Sequence, residues 1–517
     1  MIGRFFWKTG TSFSVCRLLE MKMRHSLVLL TSLLLTAASR SEVVDSVGAF
    51  SKTFSSLAPG SVIEVADGTY TTKGGIKIVG KKGTEANPIV IRAQHRSKAV
   101  IAGMAGFILR ECEHIVLEGF VFEHDADQQS VILENCHHVR VTRNVFRPVE
   151  RAKPRHWEHW VTVDGANSGE NRIDHNSFGR KVNRGSPVFV RGDDVALVCS
   201  QHDRIDHNHF RDVIFANGEN GHETIRTGGN DLGASGRSSF TTIEDNLLEH
   251  CNGEDELMSL KSSDNIVRNN TILNCRGAIC MRLGNRNVAS GNFIIATESG
   301  PGFGGIKLYG FEHRVFNNYF SGLTGRRHDA PFALVPGMHD TPATEKIGKK
   351  YDDNTATAPT RCWIAFNTWV DCTPLQFGFE KEEEGRQHVP SACVFINNLV
   401  VCTKPMSKPL INLGRIHEMQ AHDNLGHTVE PAATVAWSSW FRFTDPLLRR
   451  VENPPGLWRL TAQSPAIDSA VEDSTKMADD IFGHARKGRY DLGAEEFSQE
   501  TASHTVLTPN NVGPDAP

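Results

Sequence analysis

The chain has 517 residues, of which 39% are hydrophobic, and a formal net charge of −4 at pH 7. No basic tract is present, which argues against a nucleic-acid-binding protein. A chain of this length would normally divide into several domains, but a repeat protein grows by adding units and escapes that expectation.

The N-terminal segment predicts export. Basic residues at positions 22–25 precede an apolar run from Leu27 to Ala38, and small residues follow. This order is that of a secretory signal peptide, with cleavage expected near residue 40. The run has about 12 residues against the roughly 20 needed to span a bilayer, so we expect no stable membrane anchor. Residues 1–20 are interpreted as a possible upstream extension, and the mature protein is expected to be secreted or periplasmic.

A repeated pair of residues follows through most of the chain: an Asn and, two positions later, an apolar residue. The nine copies are Asn144/Phe146, Asn176/Phe178, Asn208/Phe210, Asn246/Leu248, Asn270/Ile272, Asn292/Ile294, Asn318/Phe320, Asn367/Trp369 and Asn398/Val400. Successive Asn residues are 22 to 49 positions apart, as in a solenoid whose units carry loops of different length. Apolar and polar residues alternate before them, as in residues 137–141, so each unit predicts strands. The sequence therefore predicts an all-β chain folded as a right-handed parallel β-helix with loop insertions.

The repeated Asn residues are interpreted as structural. Asn tolerates the left-handed conformation at turns and can hydrogen-bond to its counterparts one coil up and down. Most of the 11 cysteines lie in or beside apolar segments, where a free Cys acts as a small hydrophobe. None of them has the spacing of zinc ligands.

The C-terminal part is expected to close the solenoid. Residues 464–468 and 491–496 predict an ordered cap on the last coil. Residues 498–517 lack an apolar pattern and predict a flexible tail. The β-helix domain is therefore expected to span residues 41–497.

Two glutamates one residue apart suggest a cation site. On a strand, Glu254 and Glu256 project to one face while Asp255 points to the other. Two adjacent carboxylates favour a shared cation. Calcium is the natural candidate, because carboxylate and amide oxygens are hard ligands and no His or Cys is positioned with them.

Two cations are expected on adjacent coils beside these acids. Lys261 lies nine residues before Asn270 and Arg282 lies ten before Asn292, so their side chains would stack almost one above the other. Stacked like charges are costly unless an anion lies across them. Lys261 follows Glu256 by five positions, an odd step, so the chain must bend between them if all these groups share one site.

Eight short motifs carry a family resemblance. They are Asn220-Gly-His-Glu-Thr-Ile-Arg226, Glu254-Asp-Glu256, Lys261-Ser262, Met281-Arg282-Leu283-Gly284-Asn285, Gly304-Gly305-Ile306, His313-Arg314-Val315, Asn317-Asn318-Tyr319-Phe320 and Asp491-Leu-Gly-Ala-Glu-Glu496. Together they resemble the polysaccharide lyase family, of family 6 type, that contains chondroitinase B and many alginate lyases. The resemblance covers most of residues 42–497.

The resemblance implies roles for particular residues. The implied calcium ligands are Asn220, Glu254 and Glu256. Lys261 would be the Brønsted base and Arg282 its partner on the acid side. The implied substrate contacts are Arg226, Lys307, His313 and Arg327 or its neighbour Arg326. Leu283 stands where family members often have His, a departure that bears on substrate preference.

The implied reaction is β-elimination in a 4-linked uronate polysaccharide. Removal of the C5 proton leaves a carbanion that needs the neighbouring carboxylate to be neutralised, and calcium can do this as a Lewis acid. Lys261 must be unprotonated to take the proton, and a nearby divalent cation together with Arg282 would favour the neutral amine. Arg282 is expected to stabilise charge at the C4 leaving oxygen, with its formal role as an acid left open.

The substrate and some rival functions stay open at this stage. Alginate is favoured because it is the family's commonest substrate, and dermatan sulfate is the alternative. A glycoside hydrolase would need carboxylates that flank the bond and would leave Lys261 and Arg282 without a role. An epimerase would abstract the same proton and return one to the opposite face. A non-catalytic carbohydrate-binding β-helix would have the groove without the Lys and Arg pair.

Overall fold

Three long parallel sheets make up most of the fold. The structure, a computed structural model, describes residues 41–125, 128–151, 156–214, 220–229, 236–340, 356–381, 385–405, 410–429, 438–471 and 477–517. The predicted signal segment and upstream extension lie outside these residues. Among the described residues, no helix combines the length and the apolar character needed to cross a membrane.

Each sheet is defined by its strands in spatial order. Sheet A contains Ser41–Val44, Val62–Val65, Ile89–Ala93, Ile115–Glu118, Arg140–Thr142, Arg172–Asp174, Arg204–Asp206, Thr242–Glu244, Ile266–Arg268, Val288–Ser290, Arg314–Phe316, Trp363–Ala365, Val394–Ile396 and Gln420–His422. Sheet B contains Gly68–Thr72, Ala99–Gly103, Val121–Phe122, Val145–Phe146, Ser177–Phe178, His209–Arg211, Leu247–Glu249, Thr271–Leu273, Phe293–Ile295, Tyr319–Ser321, Thr368–Val370, Leu399–Cys402, Asn424–Thr428 and Phe441–Phe443. Sheet C contains Ile76–Val79, Phe107–Arg110, Val131–Glu134, Val161–Asp164, Val188–Asp193, Ile225–Thr227, Glu256–Leu260, Ala278–Met281, Ile306–Leu308, Phe332–Leu334, Leu375–Phe377 and Ile411–Leu413.

A few elements lie outside this pattern. The strand Val198–Cys199 pairs antiparallel with the last two residues of the strand Val188–Asp193. The strands Leu448–Arg450 and Trp458–Leu460 also pair antiparallel with each other. Within the described residues, the helical segments are the α-helix Val47–Ser55 and the 3₁₀ turns Arg327–Asp329 and Ser438–Trp440.

Successive coils visit the three sheets in the same order. One coil runs through Ile266–Arg268 in sheet A, Thr271–Leu273 in sheet B and Ala278–Met281 in sheet C, and each strand pairs in parallel with its counterpart in the next coil. The predicted all-β chain and parallel β-helix are confirmed.

The repeated Asn residues form a ladder inside the turns between sheets A and B. Asn246 is fully buried, and its Nδ2 donates to Asn270 Oδ1 at 3.0 Å and to Ile205 O at 2.8 Å. Its backbone N–H donates to the same Asn270 oxygen at 3.1 Å. The ladder continues to Asn424, whose Oδ1 accepts from Asn398. The buried turns therefore have their polar groups satisfied, as the structural interpretation of the Asn residues requires.

Replacing one rung should lower stability more than turnover. In an Asn246→Ala variant, the buried backbone N–H and Nδ2 of Asn208 lose their shared acceptor, both at 3.0 Å, which should cost about 1–3 kcal/mol. We expect lower resistance to heat and denaturant, with turnover close to wild type. Asn167→Ala is the matched control because the Asn167 side chain is exposed. Equal stability of the two variants would contradict the role of the ladder.

The apolar residues that follow the ladder stack inside the core. The rings of Phe146 and Phe178 have centroids 4.7 Å apart, and those of Phe178 and Phe210 are 4.6 Å apart, both nearly parallel. One continuous buried cluster extends along the coils from Phe50 and Phe54 of the α-helix. The core of the solenoid therefore runs continuously from one coil to the next.

The C-terminal residues pack on the solenoid, in contrast to the predicted flexible tail. Gly513 N donates to His207 O at 2.8 Å, and Arg143 Nη1 donates to Pro514 O and Ala516 O, both at 2.7 Å. Val512 is buried. This packing could not be predicted from the sequence, because several of the anchors are backbone groups that hydrogen-bond to residues of distant coils, and such contacts leave no periodic pattern.

Candidate active site

The candidate site lies on the outer face of sheet C. One in-register row on successive strands reads Arg226, Ser259, Cys280 and Lys307. The neighbours of Ser259 along its strand, Met258 and Leu260, belong to the core. Because side chains alternate along a strand, the row points away from the core.

A second row of side chains lies just after the C-terminal ends of the same strands. Leu260 pairs with Met281, and Met281 pairs with Leu308. The residues that directly follow these positions on the three successive coils are Lys261, Arg282 and Tyr309. Lys261 and Arg282 therefore occupy corresponding positions on adjacent coils, in agreement with the spacing of the sequence.

A bulge brings the acids and the base to one face. The pairing between Glu256–Leu260 and Ala278–Met281 shifts between Glu256 and Met258, and consecutive residues Leu257 and Met258 both lie in the core. The extra residue resets the alternation, so Glu256 and Ser259 share the outer face and Ser259 Oγ donates to Glu256 Oε2. This is the bend that the odd spacing between Glu256 and Lys261 requires.

An open pocket of about 330 Å³ lies over these strands. Its lining residues are Asn220, Glu254, Asp255, Glu256, Arg276, Arg282, Lys307, Tyr309, His328 and Arg386. A larger pocket of about 520 Å³, lined in part by His209 and Glu249, lies between sheet B and the C-terminal segment. We take the smaller pocket as the candidate site, because its lining brings together several charged side chains, among them Glu254, Arg282 and Lys307.

Three glutamates, two of them buried and Glu256 partly exposed, form a cluster at one side of this pocket. Carboxylate oxygens of Glu223, Glu254 and Glu256 lie within 4.8 Å of one another. Glu254 Oε2 accepts backbone hydrogen bonds from Gly221 at 2.6 Å and from His222 at 3.1 Å. Gly221 has a φ of 98°, a conformation that favours glycine. The turn before Glu223 is thus shaped to hold a carboxylate.

The electrostatics of the cluster are uneven. Burial raises the pKa of Glu254 to about 8, and the carboxylates of Glu223 and Glu256 add to the effect. Burial acts to raise the pKa of Glu256 as well, but the positive charges of Arg282, Lys261 and Lys307 outweigh burial and lower that pKa to about 2. Packing like charges this closely favours an added cation.

The donor set fits a hard divalent cation. It consists of carboxylate oxygens, and among the described residues no His or Cys belongs to the cluster, as suits calcium. Asn220 lines the same pocket and is exposed, while its backbone oxygen accepts from Arg184 Nε at 2.8 Å. The structure thus brings the predicted Glu254 and Glu256 together and adds Glu223.

Lys261 and Arg226 converge on the third glutamate. Lys261 Nζ and Arg226 Nη1 each lie 3.7 Å from Glu223 Oε1. Lys261 is buried and is not among the residues that line the pocket. The Arg226 guanidinium also packs over the Phe189 ring, 4.7 Å from its centroid. Arg226 therefore lies in the charge cluster and is held from two sides.

Arg282 lies between the acids and the aromatic wall of the pocket. Its Nε is 3.0 Å from Glu256 Oε1, and its guanidinium carbon is 5.4 Å from the centroid of the Tyr309 ring. Burial lowers the pKa of Arg282, but the Glu256 carboxylate more than compensates and the pKa is raised. Arg282 therefore stays a fixed positive charge in the pocket.

The predicted substrate contacts occupy different places. Lys307 lines the pocket, and its Nζ is 3.3 Å from Asp329 Oδ1. Arg327 is exposed and packs over the Phe379 ring, 4.9 Å from its centroid, while its neighbour His328 reaches the pocket lining. The insertion after Asn318 therefore contributes to the site, through His328.

His313 lies in the interior and not in the groove. It is fully buried, its Nδ1 accepts from Asn287 N at 3.1 Å, and its Nε2 lies 2.6 Å from Tyr309 O. Burial lowers its pKa to about 4. Asn287 Oδ1 in turn accepts from Asn265, so His313 holds a ladder position that other coils fill with Asn. The expectation of a substrate contact placed it on the wrong side of the sheet.

Sequence reasoning missed several pocket residues. Glu223 lies within the Asn220–Arg226 motif, and its proximity to Asn220 was a usable signal. Tyr309 follows a strand just as Arg282 does, so the repeat could have located it. Arg386 offered no signal, because it comes from an insertion two coils after Tyr309.

Comparison with known proteins places the chain in a family. The sequence profile of the Chondroitinase B family matches residues 44–436. A PL6 family alginate lyase, AlyGC, has a similar structure with a TM-score of 0.70 and 27% identity, over 82% of this chain and 55% of that one. The chain thus spans about half the length of that relative. No curated protein sequence matches it.

Two further solved structures share the fold. A mannuronic acid specific polysaccharide family 6 lyase from human gut microbiota has a TM-score of 0.63 and 23% identity, over 78% of this chain and 91% of that one. A PL6 alginate lyase in complex with a trisaccharide has a TM-score of 0.62 and 20% identity, over 83% and 92%. With the profile match covering most of the described solenoid, this chain belongs to the Chondroitinase B family.

Proposed function

We propose that this protein is a calcium-dependent polysaccharide lyase that cleaves 4-linked uronate chains by β-elimination, with alginate as its substrate. The observation that carries the proposal is the placement of Lys261 and Arg282 at one level of adjacent coils, each within reach of the glutamate cluster. A hydrolase would not need this pair. The 27% identical alginate lyase adds support for the reaction class.

The residues in and beside the pocket divide the work of the reaction. Lys261 accepts the proton from C5 on its Nζ. Arg282, fixed by Glu256 at 3.0 Å, stabilises the charge that develops on the leaving oxygen at C4. Glu223, Glu254, Glu256 and Asn220 would hold calcium, which when bound neutralises the substrate carboxylate as a Lewis acid. Lys307 adds positive charge to the pocket, and Arg226 adds it beside Glu223.

Dermatan sulfate is the second candidate, favoured by the Chondroitinase B profile. A sulfated chain calls for cations beyond those that meet its carboxylates. Two cations of the pocket are already matched by acids, Arg276 by Asp255 and Lys307 by Asp329. This pairing favours a substrate that carries carboxylates alone, and so alginate.

We also propose that the mature protein acts outside the cytoplasm. The support is the basic and apolar order of the N-terminal segment, which is that of a secretory signal. Fractionation of cells that produce the full chain should recover a shortened protein outside the cytoplasm. Full-length protein confined to the cytoplasm would contradict export.

The substrate test is a panel assay. Wild-type protein is incubated with polymannuronate, polyguluronate, mixed alginate, dermatan sulfate and chondroitin sulfate, and the ultraviolet absorbance of new C4–C5 double bonds is followed. We expect the largest rise with alginate, above all with mannuronate-rich chains. A rise with dermatan sulfate alone would favour the second candidate. Reducing ends without absorbance would mean hydrolysis, and an unchanged chain length would favour a binding module.

A further inference from the structure

The side chain of Tyr309 forms part of the wall of the pocket. Tyr309 directly follows the strand Ile306–Leu308, as Arg282 follows Ala278–Met281, so the two side chains are neighbours on adjacent coils. The Tyr309 ring lies between two guanidinium groups, with Arg282 Cζ at 5.4 Å and Arg386 Cζ at 5.3 Å from its centroid.

The backbone of Tyr309 is anchored on both sides. Its N–H donates to Met281 O at 3.1 Å within sheet C. Its carbonyl oxygen lies 2.6 Å from Nε2 of the fully buried His313. The Tyr309 ring therefore projects into the pocket from a firmly held backbone, and a group that takes part in the reaction needs such a fixed position.

The phenolic oxygen has partners that leave its proton available. Arg386 Nη1 donates to Tyr309 Oη at 3.3 Å, and a donor that also receives a hydrogen bond keeps its own hydrogen for another acceptor. His328 Nδ1 lies 3.5 Å from the same oxygen, and His328 is partly exposed. A path for a proton thus runs from solvent through an imidazole to the phenol.

The reaction needs such a donor. An alkoxide leaving from C4 is a strong base, and the guanidinium of Arg282 is a poor acid, all the more because Glu256 raises its pKa. A phenol gives up a proton far more readily. Burial raises the pKa of Tyr309 although Lys307, Arg386 and Arg282 act against it, so the hydroxyl carries its proton at neutral pH.

We propose that Tyr309 is the catalytic acid that protonates the leaving oxygen at C4, a proposal that rests on the β-elimination described above. Lys261 takes the proton from C5 and leaves a carbanion; the electron pair of this carbanion then forms the C4–C5 double bond, and the C4–O4 bond breaks with its pair on O4. The Tyr309 proton moves to O4 and leaves a phenolate beside Arg282 and Arg386. His328 then passes a proton from solvent to the phenolate, and Lys261 releases its proton to water.

The test is Tyr309→Phe in the full chain, assayed on polymannuronate oligosaccharides. We expect kcat to fall by about 10²-fold or more with KM changed only a few-fold, as for the loss of a general acid. In D₂O, the variant should still exchange the C5 hydrogen of the substrate, because Lys261 is intact. On a mannuronate with a 4-nitrophenoxy group at C4, which leaves without a proton, the variant should approach the wild-type rate.

Tyr319→Phe is the matched control. Tyr319 belongs to sheet B and lies outside the pocket, and its hydroxyl donates to Gly456 O at 3.0 Å and accepts from Trp458 N at 2.9 Å. It should lose thermal stability and keep kcat. A second form of the protein, with 3-fluorotyrosine at position 309, keeps the ring and lowers the pKa of the phenol, so the alkaline limb of kcat against pH should move to lower pH.

Three results would overturn the proposal. They are wild-type turnover by Tyr309→Phe, an equal loss on the natural and the 4-nitrophenoxy substrate, and an unchanged alkaline limb with 3-fluorotyrosine. An equal loss on both substrates would mean that Tyr309 only positions Arg282. Failure of the wild-type protein to form unsaturated products from any uronate polymer would instead refute the β-elimination itself, which the wild-type arm reports separately.

Discussion

Lys261→Ala is expected to lose nearly all turnover while it keeps most of its affinity for substrate. A general base acts mainly in the transition state and contributes about 10²–10⁴-fold to the rate. Initial rates of double-bond formation measure the first effect, and calorimetric titration with an oligosaccharide measures the second. Lys261→Arg should not restore turnover, because a guanidinium stays protonated and cannot accept the C5 proton.

The matched control for this variant is Lys181→Ala. Lys181 is also a buried lysine beside a glutamate, with its Nζ 3.2 Å from Glu150 Oε1, but it lies outside the pocket. Its loss should lower stability, because Glu150 loses its positively charged partner, and should leave kcat near wild type. If Lys261→Arg keeps wild-type turnover, Lys261 is an electrostatic clamp and the base lies elsewhere in the groove.

Removal of the metal is expected to abolish turnover and leave the coils folded. The core and the Asn ladder do not depend on the glutamate cluster, so circular dichroism should not change when calcium is chelated. Added calcium should restore the rate. Glu223→Gln should weaken calcium binding by about 10-fold or more, an effect typical of groups that support a metal site.

Asp255→Asn is the control for the metal site. Asp255 adjoins both Glu254 and Glu256 in sequence, but its side chain is about half exposed and pairs with Arg276. Calorimetric titration should show calcium affinity near wild type for this variant. Full turnover in protein shown to be free of metal would contradict the assignment, and a cationic side chain such as Lys307 would then have to neutralise the substrate carboxylate.

The fold could be predicted from the sequence because a solenoid repeats the same residue pattern in every coil. Each Asn of the ladder sits before a turn into sheet B, so spacing alone placed Lys261 and Arg282 at corresponding positions on adjacent coils. The odd step from Glu256 to Lys261 indicated a bend, and the structure supplies it as a bulge at Leu257 and Met258.

The remaining features depend on contacts that no local pattern records. The family resemblance predicted a substrate contact at His313, but this residue fills an Asn position in the interior. Arg386 reaches Tyr309 from 77 positions along the chain. The C-terminal segment packs through backbone groups and a few isolated apolar side chains such as Val512, which form no pattern in the sequence.

The most direct test of the central claim is the mass of the products from one defined polymannuronate oligosaccharide. Elimination adds nothing to the substrate, whereas hydrolysis adds one water. We predict that the two product masses sum to the mass of the substrate, that the product with the new non-reducing end is one water lighter than the corresponding saturated sugar, and that no ¹⁸O from labelled water enters either product at the moment of cleavage. Products whose masses sum to substrate plus water would contradict the account.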